Sequence, residues 1–165
     1  MVQEDKELLF KGLCARLPYG LKCKIDLDML LETFPEYGAR LSYAATSTGI
    51  DLHAKVGERI YTLFGIPSKH RLYFLELDDF FDEYGIPVEC VKPYLRPMSS
   101  MTEEERNEYF DFRNQELQRV AFAEVGRESA IAEISDWLNV HHFDYRGLIE
   151  KGLALEAPEG MYKTE

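Results

Sequence analysis

The segment Met98–Val125 constrains the fold of this 165-residue chain more than any other stretch. Thr102 is followed three residues later by Glu105, the spacing of a capping box, in which each side chain accepts a hydrogen bond from the other residue's backbone amide. The glutamates of this first turn also complement the positive end of the helix dipole. The sequence therefore predicts a helix from Thr102 to about Val125, with its C-terminal stop at Gly126.

The apolar residues of this helix indicate which of its sides is buried. Phe110, Leu117, Val120 and Ala121 recur at helical spacing and fall on one face. Because apolar side chains are more stable away from water, we expect this face to pack against the rest of the protein.

Two other parts of the chain have helical patterns. Over residues 4–17 leucines recur every four residues, and Arg16 falls outside that stripe. Over residues 129–139 the spacing is again helical, and Asp144 is placed to cap a last short helix over 145–151. We therefore expect one helix near the N-terminus and three in the C-terminal part.

Short runs of alternating or β-branched residues lie between the first helix and Pro97, separated by turn signals about every ten residues. This spacing favours an antiparallel sheet over alternating strands and helices. The predicted strands are 21–25, 39–45, 50–55, 59–66, 71–77 and, at an edge, 88–91.

The order of these elements predicts an α+β fold in a single domain, residues 1–165. An N-terminal helix precedes a small antiparallel sheet of four to six short strands, either a meander or a partly open barrel, and helices follow. Residues 1–97 are expected to be mostly β behind the N-terminal helix, and residues 98–156 to form a helical half. The tail, 157–165, is expected to be frayed.

The formal net charge of −11 is unevenly distributed. Residues 1–97 hold 12 Lys and Arg against 15 Asp and Glu, a net of −3, whereas residues 98–165 hold 7 against 15, a net of −8. Without a basic patch to replace phosphate counterions, direct binding to nucleic acid is disfavoured. An acidic helical half instead suits a basic protein partner, or serves only to keep the protein soluble.

Cysteine usage and hydropathy indicate the compartment. The three cysteines, Cys14, Cys23 and Cys90, are an odd number without a CxxC pair, so we expect neither a disulfide framework nor a cysteine-built zinc site. No apolar run approaches the roughly 20 residues of a membrane helix, and the acidic start Met1–Asp5 does not resemble a secretory signal. The sequence therefore predicts a cytoplasmic protein without a membrane segment.

The densest group of polar and aromatic residues lies after the helix over 129–139. As a metal site it would use His141 or His142 with Asp144, but adjacent histidines point in different directions and no H-E-x-x-H pattern is present. A structural role is favoured, so the sequence predicts no catalytic residues, no metal site and no bound cofactor. The same group is our candidate partner-binding surface: Trp137, His141, His142, Asp144, Tyr145 and Arg146.

Three functions fit these observations. The first is a non-enzymatic protein-binding or regulatory protein, because no catalytic constellation is evident. The second is a small metal-dependent or hydrolytic enzyme that uses His141, His142 and Asp144. The third is an acidic mimic of nucleic acid that inhibits a DNA-binding or defence protein, which requires the carboxylates of 103–108 and 116–133 to align on one exposed face.

Three segments also resemble a group of short proteins of anaerobic gut bacteria and of their prophage-like and mobile elements. These segments are Ala15–Gly20, Val91–Glu105 and Trp137–Ala154, with the motifs ARLPYG, VKPYLRPMSSMTEEE and WLNxHHFDYRGLIEKGLA. The resemblance covers about the first 25 residues and most of 88–162, whereas 26–87 corresponds to a part that varies within the group. It implies membership of the group and, since no activity is assigned to that group, no catalytic residues.

Overall fold

A computed structural model describes residues 1–38, 59–68, 71–74 and 85–162 of the protein. Four α-helices lie wholly within these ranges, and three short 3-10 turns, Leu17–Tyr19, Val88–Cys90 and Met98–Ser100, lie between other elements. The helices are α1 (Gln3–Arg16), α2 (Leu27–Thr33), α3 (Glu103–Ala121) and α4 (Arg127–Val140). No helix in the described part of the chain is both long and apolar enough to span a membrane.

In the described part of the chain, six strands form one open, mostly antiparallel sheet. They are β1 (Lys22–Ile25), β2 (Tyr61–Ser68), β3 (Arg71–Phe74), β4 (Ile86–Pro87), β5 (Val91–Leu95) and β6 (Leu155–Glu156). The spatial order is β4-β3-β2-β1-β5-β6, so the first four strands form a meander and β5 returns to pair with the other side of β1. The outermost pair, β5 and β6, is parallel. The predicted α+β class, with an N-terminal helix, an antiparallel sheet and C-terminal helices, is confirmed.

The main core lies between the sheet and the helices α1 and α2. Alternation in β1 buries Cys23 and Ile25 and leaves Lys24 exposed, as the sequence predicts. Leu9 and Leu13 of α1 contribute fully buried side chains to the same cluster. A second, smaller cluster consists of Met101, Leu138 and Phe143, with Tyr109, Trp137 and Tyr145 packed around them.

The start of α3 is confirmed, but its end and its buried face are not. Its N-terminus is a capping box: the amide of Glu105 donates to Thr102 Oγ1 (3.1 Å), and the amide of Thr102 donates to Glu105 Oε2 (2.9 Å). The helix ends at Ala121 rather than at Val125, and Gly126 is the N-cap of α4. Ala123, at φ 57°, takes the left-handed conformation that the sequence assigned to the glycine.

The predicted apolar face of α3 points away from the protein. Phe110 and Leu117 are 46% and 49% exposed, whereas the side that packs inward carries Tyr109 and Glu116, the latter only 3% exposed. Glu116 is neutralised by Arg119, whose Nη1 donates to Glu116 Oε1 at 2.6 Å. The expectation that the Phe110 face is buried is therefore wrong, because tertiary packing rather than hydrophobicity decides the orientation here.

We expect Thr102→Ala to lower the free energy of unfolding by about 1 kcal/mol, because it removes an N-cap side chain that no neighbour replaces. Urea denaturation followed by circular dichroism measures this loss. Ser99→Ala is the matched control, since Ser99 is exposed and should change stability by less than about 0.5 kcal/mol. Equal effects of the two substitutions would contradict the capping role.

One predicted strand of the sheet is corrected, and a helix is found before it. Asp26 caps α2, because its side chain accepts a hydrogen bond from the amide of Met29 (3.0 Å). Residues 88–90 form a 3-10 turn rather than an edge strand, and the strand that follows, β5, lies inside the sheet. The predicted strands at 39–45 and 50–55 lie outside the described residues.

The C-terminal segment is more ordered than the sequence suggests. Residues 145–151 form turns instead of a helix, since Gly147 (φ 70°) adopts a left-handed conformation that ends any helical run. The expectation of a frayed tail is wrong as far as Tyr162. The amide of Ala157 donates to the carbonyl of Leu95, and the hydroxyl of Tyr162 donates to the carbonyl of Tyr94, both of β5 (2.8 and 2.9 Å).

Candidate functional site

Three segments that are far apart in the sequence, Ala15–Gly20, Val91–Glu105 and Trp137–Ala154, meet around Phe143. Arg16, at the end of α1, donates from Nη2 to the carbonyl of Phe143 (2.6 Å). Arg96, which follows β5, forms an isolated bridge with Phe143 and lies over its ring at 4.3 Å. Phe143 itself belongs to the turn after α4 and is fully buried. Residues far apart in the sequence are thus assembled into one polar and aromatic cluster.

Arg16 is a fully buried cation. Besides Phe143, it donates from Nη1 to the carbonyl of Gly12 (3.0 Å), and its guanidinium lies 5.5 Å from the centre of the Tyr145 ring. Burial lowers the pKa of Arg16 to about 10, and Tyr145 opposes this shift. The guanidinium therefore stays charged at neutral pH and is held by carbonyl oxygens rather than by a carboxylate hydrogen bond.

His142 is buried and stacks on Tyr162, with the ring centres 3.8 Å apart. It lies in the turn after α4 and has a left-handed backbone conformation, with φ 58°. Burial, reinforced by the positive charge of Arg16, lowers the pKa of His142 to about 4, although a hydrogen bond with the backbone of Tyr19 opposes this. His142 is consequently neutral at physiological pH and joins the C-terminal segment to the cluster.

Asp144 is the buried carboxylate of the cluster. Its Oδ1 accepts a hydrogen bond from the amide of Leu148 (2.9 Å), and its Oδ2 accepts one from the amide of Ile149 (2.7 Å). Asp144 therefore does organise the residues after it, but it stabilises a turn and not the predicted helix. With both oxygens bound to backbone amides, its geometry is that of a structural carboxylate.

Four other members of the cluster are half-buried, and we call them the aromatic rim: Trp137, His141, Tyr145 and Arg146. Trp137 and His141 stack with their ring centres 3.9 Å apart, and Nδ1 of His141 lies 2.8 Å from the carbonyl of Trp137. Arg146 lies over the Tyr145 ring at 4.8 Å and donates to its hydroxyl (2.8 Å). The rim residues are held in fixed orientations and still reach solvent.

A cleft of about 520 Å³ is lined in part by Arg96 and Tyr162, which also contact Phe143 and His142 of the cluster. Within it, Arg96 and Glu105 form a bidentate ion pair, with both N–O distances 2.7 Å. The wall formed by residues 156–162 adds the exposed carboxylates of Glu156 and Glu159. The lining thus holds three glutamates and one arginine, which gives the cleft a net negative charge.

The structure gives the three residues of the enzyme hypothesis separate partners. His141 stacks on Trp137, His142 stacks on Tyr162, and Asp144 binds backbone amides. Among the described residues there is no group of three or more His, Cys, Asp or Glu side chains that could hold a metal ion. This arrangement offers no support for metal-dependent chemistry at the cluster.

Two carboxylates that a nucleic-acid mimic would use are already engaged. Glu105 pairs with Arg96, which lowers the pKa of Glu105, and Glu116 is buried against Arg119. Trp137 Nε1 also donates to Glu108 (3.3 Å). The carboxylates of α3 therefore do not form one uninterrupted exposed face.

Sequence reasoning missed Arg16, Arg96, Tyr19 and Tyr162 as members of the cluster. Arg16 was placed outside the stripe of α1, yet it follows the buried Leu13 by three residues, which is the spacing of the same face. The hydroxyl of Tyr19 donates to Asp136 of α4 (2.8 Å). Arg16, Arg96 and Tyr19 have one feature in common that the sequence could have revealed: each lies within one of the segments of the predicted resemblance.

No protein-family model, curated protein or solved structure matches this chain. The resemblance to the bacterial group therefore stays a prediction, and the function has to be argued from the cluster itself.

Proposed function

We propose that this chain is a non-enzymatic cytoplasmic protein that binds another protein through its aromatic rim. The observation that carries the proposal is the combination of half-exposed Trp, His, Tyr and Arg side chains with a buried scaffold that fixes them. Trp, Tyr and Arg dominate the binding energy of protein interfaces, because they bury large areas and lose little conformational freedom.

The buried members of the cluster support binding rather than catalysis. Arg16, His142 and Asp144 each contact backbone groups or stack on a ring, which fixes them in place. A general acid or base must instead reach a substrate and have a pKa near the working pH. A preorganised surface of this kind lowers the entropy that is lost when a partner binds.

The cleft lined by Arg96 and Tyr162 supports a basic segment as the part of the partner that binds there. The charges of Arg96 and Glu105 neutralise each other. The carboxylates of Glu156 and Glu159 are then the groups of the cleft that can pair with a Lys or Arg side chain of the partner. Opposite charge accelerates association and aligns the partner. Cys14 and Cys90 form no disulfide, which fits the reducing compartment that the proposal assigns to the protein.

Affinity purification from an anaerobic gut bacterium, followed by quantitative mass spectrometry, tests the proposal. We expect a partner that is enriched by the wild-type protein and lost with His141→Ala/Arg146→Ala, which removes rim side chains without removing a core aromatic ring. Trp137→Ala/Tyr145→Ala is a second variant, used only if its thermal unfolding remains cooperative.

The matched control is Arg127→Ala/Glu128→Ala, at two exposed positions at the start of α4. It should retain the partner at the wild-type level. If the wild-type protein enriches nothing over an empty-tag control, or if rim and control variants retain the same proteins equally, the proposed function is wrong.

A further inference from the structure

We infer that the outward face of α3 is a docking surface for a second copy of this chain, which pairs with it as a short parallel coiled coil. The inference is independent of the aromatic rim. It starts from the inverted polarity of α3, which buries Glu116 and exposes Phe110 and Leu117. Apolar residues that recur on an exposed helix face are typical of surfaces that associate.

The exposed face of α3 follows a heptad pattern. Phe110 and Leu117 take position d of a heptad. Position a, three residues before or four residues after a position d, then falls on Asn107, Asn114 and Ala121. The helix packs on the protein through the opposite side, so the whole seam is accessible. The seam residues, all exposed, are Asn107, Phe110, Asn114, Leu117 and Ala121. Glu103, at the first position d, would repel its own counterpart, so the paired part begins at Asn107.

The charges beside the seam indicate that the occupant is a second copy in parallel orientation. Position e carries Glu104 and Asp111, and position g carries Arg106 and Arg113, all of them exposed. In a parallel pair, position g of one helix faces position e of the other five residues further on, so Arg106 would face Asp111 of the second copy, twice. An antiparallel pair would instead bring Arg against Arg and acid against acid, which is repulsive.

The asparagines favour the same orientation. Asn107 and Asn114 occupy position a, and a parallel, in-register pair places each asparagine opposite its own counterpart, where the two amides can hydrogen-bond. The helix is 19 residues long, or about 28 Å. A contact of this length is at the small end of protein interfaces, so we expect a reversible dimer that forms at high protein concentration.

Disulfide crosslinking of the full-length protein tests the orientation and the register. In a Cys14→Ser background, which removes the exposed cysteine, Asn114→Cys would lie opposite itself within disulfide range. Gln115→Cys is the matched control, one residue along the helix and off the seam. We expect Asn114→Cys to form crosslinked dimer about tenfold faster than Gln115→Cys under mild oxidation at physiological ionic strength.

Charge reversal provides the second test, by sedimentation equilibrium. Arg106→Glu and Asp111→Arg each place like charges across the pair and should abolish the dimer, whereas the double variant should restore it. A wild-type protein that remains monomeric at every concentration would overturn the inference. Equal crosslinking at 114 and 115, or a double variant no better than the single ones, would overturn it too.

Discussion

Arg16→Ala is expected to destabilise the protein by about 3 kcal/mol or more, one of the two largest effects we predict. The substitution removes two hydrogen bonds from a charged donor, to the carbonyls of Gly12 and Phe143, and each such bond contributes about 1.5–3 kcal/mol. It also leaves a cavity where a fully buried side chain stood. Because the cost of burying the guanidinium is recovered, the loss stays below the simple sum of these contributions.

Chemical denaturation of three variants separates hydrogen bonding from packing. Arg16→Met keeps most of the volume but donates nothing, so it should be less stable than the wild-type protein and more stable than Arg16→Ala. Lys11→Ala, at an exposed position of the same helix, should change stability by less than about 0.5 kcal/mol. An Arg16→Ala variant within about 0.5 kcal/mol of the wild-type protein would contradict the role of this side chain.

Local chemistry made much of the fold predictable. The capping box of α3 is formed by neighbouring residues, so Thr102 and Glu105 specify the helix start without reference to the rest of the chain. The alternation of β1 is equally local. These predictions succeed because the hydrogen bonds or the burial pattern are completed within a few residues.

Predictions that depended on distant partners failed. The buried face of α3 is set by its packing on α4 and by Arg119, which neutralises Glu116. The apolar residues of the helix therefore did not indicate the buried face. The tail is ordered because Tyr162 stacks on His142 and bonds to Tyr94, contacts that no local pattern reveals. Arg16 was placed outside the apolar stripe of α1, and no local pattern reveals its carbonyl acceptor on Phe143, 127 residues away.

The grouping of the candidate residues was predicted from the sequence, but their burial was not. The sequence singled out the residues from Trp137 to Arg146, and they do assemble in one cluster around Phe143. The sequence pattern did not distinguish the buried members, His142 and Asp144, from the half-buried residues of the aromatic rim. That division depends on Arg16, Arg96 and Tyr162, which approach from other parts of the chain.

We expect the second large effect from acid. Burial lowers the pKa of His142 to about 4 in the folded protein, whereas the pKa of an unfolded histidine is about 6.5. Between these two values the unfolded chain binds more protons than the folded one, so stability falls as the pH falls. The contribution of neutral His142 is complete above about pH 6.5, and about 3 kcal/mol of it is lost by about pH 4.

A comparison with His142→Asn isolates this contribution from the titration of the carboxylates. Asparagine tolerates the positive φ at this position and does not titrate, although it loses the stacking on Tyr162. The wild-type protein should therefore be the more stable of the two at pH 7, and its advantage should shrink by about 3 kcal/mol as the pH is lowered to 4. Urea denaturation at intermediate pH values measures the advantage directly. An advantage that stays constant from pH 7 to pH 4 would show that His142 gains its proton as easily in the fold as in the unfolded chain, against the burial and the neighbouring charge of Arg16.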